Sequence, residues 1–299
     1  MKKTILLWAT VMAAGMLTLA GCGKKETTHT GEYTNLTDEE SRKKVTGELE
    51  NCGVSKEQTE TLMKWAEDYH EITAKSYSYP KGFTALPESG MDYSSILMDD
   101  SADSYSYLQA SNCRLTAFNL IKSQLTTAGT GNDTDLWLMF DIEAIDTMPE
   151  YQLTKEERAD FLTLFNQVSV EGTKTLEEHE EKIQEAWKER NIQIRGDKLS
   201  LVCVYLHAPE DQARFVGHTG VLAETEEGLL FVEKYSSLAP FQATYFKDRA
   251  ALKDYLLALT FNMRCSLQGR QIIKVCCLEG SIFIRKYKLK TFIKVFKIS

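Results

Sequence analysis

Cys113 follows Ser111 and Asn112 in Ser111-Asn112-Cys113-Arg114-Leu115, and both preceding residues are good helix N-caps. A thiol in the first turn of a helix faces the positive end of the dipole and free N–H groups, which favour thiolate. Arg114 adds positive charge beside it. A thiolate that attacks a carbonyl also needs a proton-transfer partner, and Gly217-His218-Thr219-Gly220-Val221 offers one. Alternation along 215–222 puts His218 on the face of Val216, Gly220 and Leu222. Its flanking glycines are expected to leave room at the ring for backbone or substrate. Glu233 ends the apolar run Leu229-Leu230-Phe231-Val232 and shares a face with Leu229 and Phe231. A carboxylate there would orient His218 through its second ring nitrogen and favour its charged form. Gln109 or the Cys113 amide is the candidate oxyanion donor. Each residue also has a plainer reading. Cys113 can be a small core hydrophobe, His218 a satisfied strand histidine, and Glu233 the ion-pair partner of Lys234 or of a lysine on a neighbouring strand.

The elements that must position these groups follow from capping and periodicity. Thr37-Asp38-Glu39-Glu40 reads as a capping box opening a helix that stops at Gly53. Ser55-Lys56-Glu57-Gln58 opens a second, with Leu62, Trp65, Tyr69 and Ile72 inward. Residues 76–106 read as loop. Cys113 opens a helix whose buried stripe is Leu115, Ala117, Phe118, Ile121 and Leu125. Residues 127–135 are loop and 137–140 a short apolar run. Thr154-Lys155-Glu156-Glu157 and Thr175-Leu176-Glu177-Glu178 cap two more helices. The pattern then changes to strands over 199–207, 214–223, 229–235 and 242–246, with a hairpin at 224–228. Asp248 caps a last helix carrying Ala251, Leu252, Tyr255, Leu256 and Leu259. Helices followed by an antiparallel sheet make an α+β fold.

Other chemistries are disfavoured. His179-Glu180-Glu181-Lys182-Ile183 lacks the second histidine of a zinc helix and reads as a solvated face. Gly129-Thr130-Gly131 has no following Lys-Ser/Thr, so no phosphate loop is present. No cofactor and no metal are expected. The net charge of −8 argues against a nucleic-acid partner. Cys22, Cys52, Cys113, Cys203, Cys265, Cys276 and Cys277 form no dense framework. A Cys52–Cys203 disulfide stays open.

The N-terminus gives an address. Met1-Lys2-Lys3 and the apolar run 4–19 precede Leu19-Ala20-Gly21-Cys22, which resembles the lipobox of bacterial lipoproteins. That resemblance implies cleavage before Cys22, diacylation of its sulfur and stable anchoring on the outer face of the cell membrane. Residues 1–21 are then a signal peptide and 22–35 a polar tether. One α+β domain is expected over 36–263. Residues 264–299 carry nine Lys or Arg and one acid, leaving 26 basic and 42 acidic residues in the remainder. This tail is either a basic amphipathic segment at an anionic membrane or a non-native extension.

A helix-opening Cys, a His-x-Gly-Val strand and a polar residue on the next strand resemble the papain-like fold, specifically its cell-wall amidase and endopeptidase branch. Asn112-Cys113-Arg114 stands where that branch has Asp-Cys-Ser-Gly. The resemblance implies Cys113 as nucleophile, His218 as base, Glu233 as orienting group and a cell-wall peptide as substrate. From Tyr33 to about Thr260 the chain also resembles a family of Gram-positive surface lipoproteins with a domain of unknown function. The stretches that carry this are Tyr33-Thr34-Asn35-Leu36, Asn112-Cys113-Arg114, Gly217 to Val221 and Leu229 to Lys234. The expectation is a membrane-anchored thiol hydrolase of amide bonds with a papain-like core. The alternative is a non-catalytic binding or scaffold lipoprotein.

Overall fold

A computed structural model describes residues 31–87, 90–99, 103–266 and 292–296. The expected signal peptide, the lipid site at Cys22 and most of the basic tail lie outside them. Among the described residues no helix is long and apolar enough to cross a membrane.

The end of the expected tether is strand β1, Gly31–Thr34. Helix α1, Glu39–Asn51, is capped by Asp38, one residue later than the sequence suggests. Asp38 wins because its carboxylate accepts from Ser41 N at 2.9 Å and also from Gly82 N at 2.7 Å. Thr37 instead donates its hydroxyl to Pro80 O. Helix α2, Lys56–Thr73, opens on the Ser55/Gln58 capping box and buries Leu62, Trp65, Tyr69 and Ile72. After short β2, Thr84–Ala85, come α3, Tyr107–Ala110, and α4, Cys113–Ile121. Leu125, expected in the stripe of α4, lies instead in strand β3, Leu125–Thr126, where it pairs with Ile194. The apolar run at 137–140 turns out to lead into helix α5, Met139–Thr147. Helices α6, Lys155–Phe165, and α7, Leu176–Glu189, start at the Thr154/Glu157 and Thr175/Glu178 capping boxes, with short β4, Val168–Ser169, between them.

The sheet strands are β6, Leu199–Ala208; β7, Ala213–Thr225; β8, Gly228–Lys234; and β9, Phe241–Phe246, after short β5, Gln193–Ile194. Helix α8, Arg249–Ser266, and β10, Phe292–Phe296, are the last elements among the described residues. The main sheet runs β10-β6-β7-β8-β9-β1-β2, with β4 also on β7, and its pairs are antiparallel. The α+β class follows. One face carries Leu201, Tyr205, Val221, Leu230 and Val232 into a core with Trp65, Phe118 and Phe161. The other carries Val202, Val204, Leu222 and Phe231 against Leu252, Tyr255 and Leu256 of α8. Burial on both faces is why these strands read as nearly unbroken apolar runs.

Two details of β7 depart from simple alternation. Val204 pairs with His218 but Tyr205 pairs with Val216, so Gly217 is the extra residue of a bulge. Val216 therefore joins the helix-side core with Tyr205, and His218 does not share its face. The glycines do not leave open room either. A Cβ at Gly217 would sit 2.1 Å from Leu206 Cδ1, and one at Gly220 would sit 2.4 Å from Phe231 Cζ and 2.7 Å from Val232 O. Gly220→Ala should then lower stability by about 1–3 kcal/mol, the usual cost of overpacking. A urea midpoint equal to that of the wild type would show that the strands part without cost.

Candidate active site

Helix α4 begins at Cys113 because Asn112, in extended conformation, turns its Oδ1 onto the N–H groups of Arg114 and Leu115 at 2.9 and 3.0 Å. Its side-chain amide also donates to Asp141 Oδ1 at 2.9 Å. Asp141 lies on α5 and is fully buried. The Arg114 guanidinium grips it, with Nη2 2.5 Å from Oδ2 and Nε 3.1 Å from Oδ1. A third arm, Nη1, donates to Val216 O at 2.8 Å. Arg114 thus ties α4 to α5 and to the backbone just before the Gly217 bulge. This fixes where Cys113 stands relative to His218.

The structure brings Cys113, His218 and Glu233 together. Cys113, only 8% exposed, lies close enough to His218 and to the Thr219 backbone N–H for both to act on its thiol. His218 Nε2 is 2.5 Å from Glu233 Oε2, which leaves Nδ1 as the ring nitrogen for the sulfur. Both His218 and Glu233 are buried, at 1% and 0% exposure. Glu233 does not pair with Lys234. The Lys234 ammonium donates to Ala239 O and lies 4.1 Å from the centroid of the Tyr69 ring. Adjacent strand residues point to opposite faces, so the two cannot meet.

The electrostatics favour an ion pair. Burial disfavours the Cys113 thiolate, yet the His218 hydrogen bond and charge, Arg114 and the Thr219 N–H together hold the thiol below its usual range. Burial likewise disfavours the imidazolium, and the hydrogen bonds and charges of Cys113 and Glu233 outweigh it and raise the His218 pKa. The other two buried thiols behave oppositely. Burial pushes Cys52 up, and Cys203 up to about 12. Both are free thiols, so the Cys52–Cys203 disulfide left open by the sequence is not formed.

Behind Glu233 runs a chain of buried polar groups that sequence reasoning missed. Tyr255 of α8 donates its hydroxyl to Glu233 Oε1 at 2.5 Å. Gln242 Nε2 donates to Tyr255 at 2.8 Å, and Tyr93 donates to Gln242 Oε1 at 2.8 Å. Asn35 Nδ2 donates to Tyr93 at 2.8 Å, and the Asn35 Oδ1 at the far end has no partner among the described residues. The only signal in the sequence is negative: Gln242 and Tyr255 are polar groups within apolar surroundings. Asp141 had a clearer one, an acid in Leu136-Trp137-Leu138-Met139-Phe140-Asp141-Ile142.

Cys113 and His218 open on a cleft of about 700 Å³, lined also by Gln109, Phe140, Glu143, Met148 and Ser236. Gln109 is thus within the same cleft as the thiol, as an oxyanion donor must be. His179 is not the solvated residue expected. It is buried, its ring centroid is 4.8 Å from that of His207, and Arg214 donates to its Nδ1. Among the described residues no group of three His, Cys, Asp or Glu is placed to hold a metal ion.

A family model described as a domain of unknown function (DUF4300) matches residues 32–267, and the chain belongs to that family. Its range spans β1 through α8. No curated protein and no solved structure matches the chain.

Proposed function

Starting from a family whose name assigns no reaction, we propose that this member is a cysteine hydrolase of amide bonds. The observation that carries the proposal is that Cys113 and His218 line one cleft, with His218 Nε2 held 2.5 Å from Glu233 Oε2 behind it. In the resting site the thiolate faces an imidazolium. The thiolate attacks the amide carbon, and the Cys113 N–H and Gln109 are the candidate donors to the oxyanion. His218 gives its proton to the nitrogen as the C–N bond breaks, releasing an amine and leaving a thioester. Neutral His218 then takes a proton from water, the hydroxide adds to the thioester, and the acid leaves. Glu233 stabilises the imidazolium and keeps the ring in place throughout.

The order of nucleophile, histidine and acid supports a papain-like relationship, and the lipobox at Cys22 supports a lipid anchor on the outer face of a bacterial membrane. A cell-wall peptide is then the amide within reach. Incubating the protein with wall fragments should release new free amines, and Cys113→Ala should release none. Equal release by both, or none by either with tight retention of the fragments, would leave the binding lipoprotein as the reading.

A further inference from the structure

The lining of the cleft narrows the substrate class, on the premise that Cys113 is a nucleophile. Phe140, Ala144 and Met148 are spaced four apart along α5 and its C-cap, so they form one apolar ridge facing the thiol. Phe140 is 70% exposed and Met139 and Leu136 beside it are 51% and 78% exposed. Leu238, 63% exposed, follows Ser236 and Ser237 of the lining. A large apolar group left in water on the lining of a cleft, with further exposed apolar residues beside it in the chain, marks where an apolar ligand group is received.

The charges are as informative. Four ionisable side chains line the cleft: Cys113, Arg114, Glu143 and His218. Arg114 is paired with Asp141, and His218 is buried between Cys113 and Glu233. Glu143 is exposed, and among the described residues it has no ion-pair partner. The exposed negative charge of the cleft is therefore Glu143, which lies on the same helix as the apolar ridge. We propose that the site takes peptide amides in which a large apolar residue seats on the Phe140–Met148 ridge and a free ammonium or guanidinium group seats at Glu143.

The test uses three peptidyl chloromethyl ketones of equal length, with leucine next to the reactive group and lysine, glutamine or glutamate beyond it. Alkylation of Cys113 in the whole protein is followed by mass spectrometry. The lysine probe should react about tenfold faster than the glutamate probe, the scale of one charge interaction in a partly solvated cleft. Glu143→Gln should level the three rates and Glu143→Lys should invert their order. Phe140→Ser should slow all three and leave their order intact. Equal wild-type rates, or an order unchanged in Glu143→Lys, would overturn the assignment while leaving the nucleophile in place. No alkylation by any probe would overturn the hydrolase reading and this inference with it.

Discussion

Asp141→Ala is expected to lower folding stability by about 3 kcal/mol, the lower end of what breaking a buried ion pair costs. The carboxylate is fully buried and accepts from Arg114 Nε and Nη2 and from the Asn112 amide. Its removal leaves a guanidinium with a side chain only 15% exposed, deprived of its counter-charge. The Arg114 side chain borders the cleft, so water reaches it in part, and that keeps the loss from the top of the range. Urea unfolding of the two proteins reads the difference. The double variant Arg114→Met with Asp141→Leu should recover most of the stability, because an apolar pair carries no desolvation cost. It should not recover fast alkylation of Cys113, because the tie from α4 to Val216 O is gone. An Asp141→Ala protein within 1 kcal/mol of the wild type would mean that the pair is solvated and holds nothing in place.

Much of this arrangement was legible in the sequence where local chemistry decides it. Ser55, Thr154 and Thr175 cap helices because each has a Gln or Glu three residues on to complete the box. The same pattern at Thr37 failed because Asp38, next to it, gains a backbone N–H from Gly82, 44 residues away. Helix α5 was hidden for a similar reason. It starts from a 3-10 turn at Leu136–Leu138 capped by Asp135, and Trp137 is held by stacking on Phe215, 3.7 Å away and nearly parallel. Nothing local signals that contact. Cys113 stood out behind two N-cap residues, His218 between two glycines, and Glu233 as the acid ending an apolar run. Asp141, Gln242 and Tyr255 act on them only across the fold, so spacing along the chain carries no trace of their roles. The bulge at Gly217 belongs with these. It changes which face Val216 takes, and only the pairing with β6 reveals it.

The direction of the hydrogen bonds behind Glu233 makes a second large effect expected. Each donor along the chain points toward the carboxylate: Asn35 to Tyr93, Tyr93 to Gln242, Gln242 to Tyr255 and Tyr255 to Glu233. Because Tyr255 accepts from Gln242, its own proton must go to Glu233 Oε1, and this suits an ionised acceptor with no proton to offer. Glu233→Gln removes that charge and places an amide where one oxygen was. His218 then loses its counter-charge, its raised pKa falls, and the Cys113 thiol pKa rises in response. As the thiolate is the reactive form, the alkylation profile should move to higher pH, with up to about a tenfold loss of rate at neutral pH for each unit moved. Tyr255→Phe keeps the charge and removes one donor, so it should shift the profile the same way by less. In the double variant Tyr255→Phe should add nothing to Glu233→Gln, since it acts only through that carboxylate. On the alkaline side, hydrolysis by the wild type should fall as His218 loses its proton through its raised pKa, and Glu233→Gln should bring that fall to lower pH. Near-UV circular dichroism checks that each variant keeps its packing. A Glu233→Gln protein that alkylates with the wild-type pH profile would show that the carboxylate sits beside the imidazole without governing its charge.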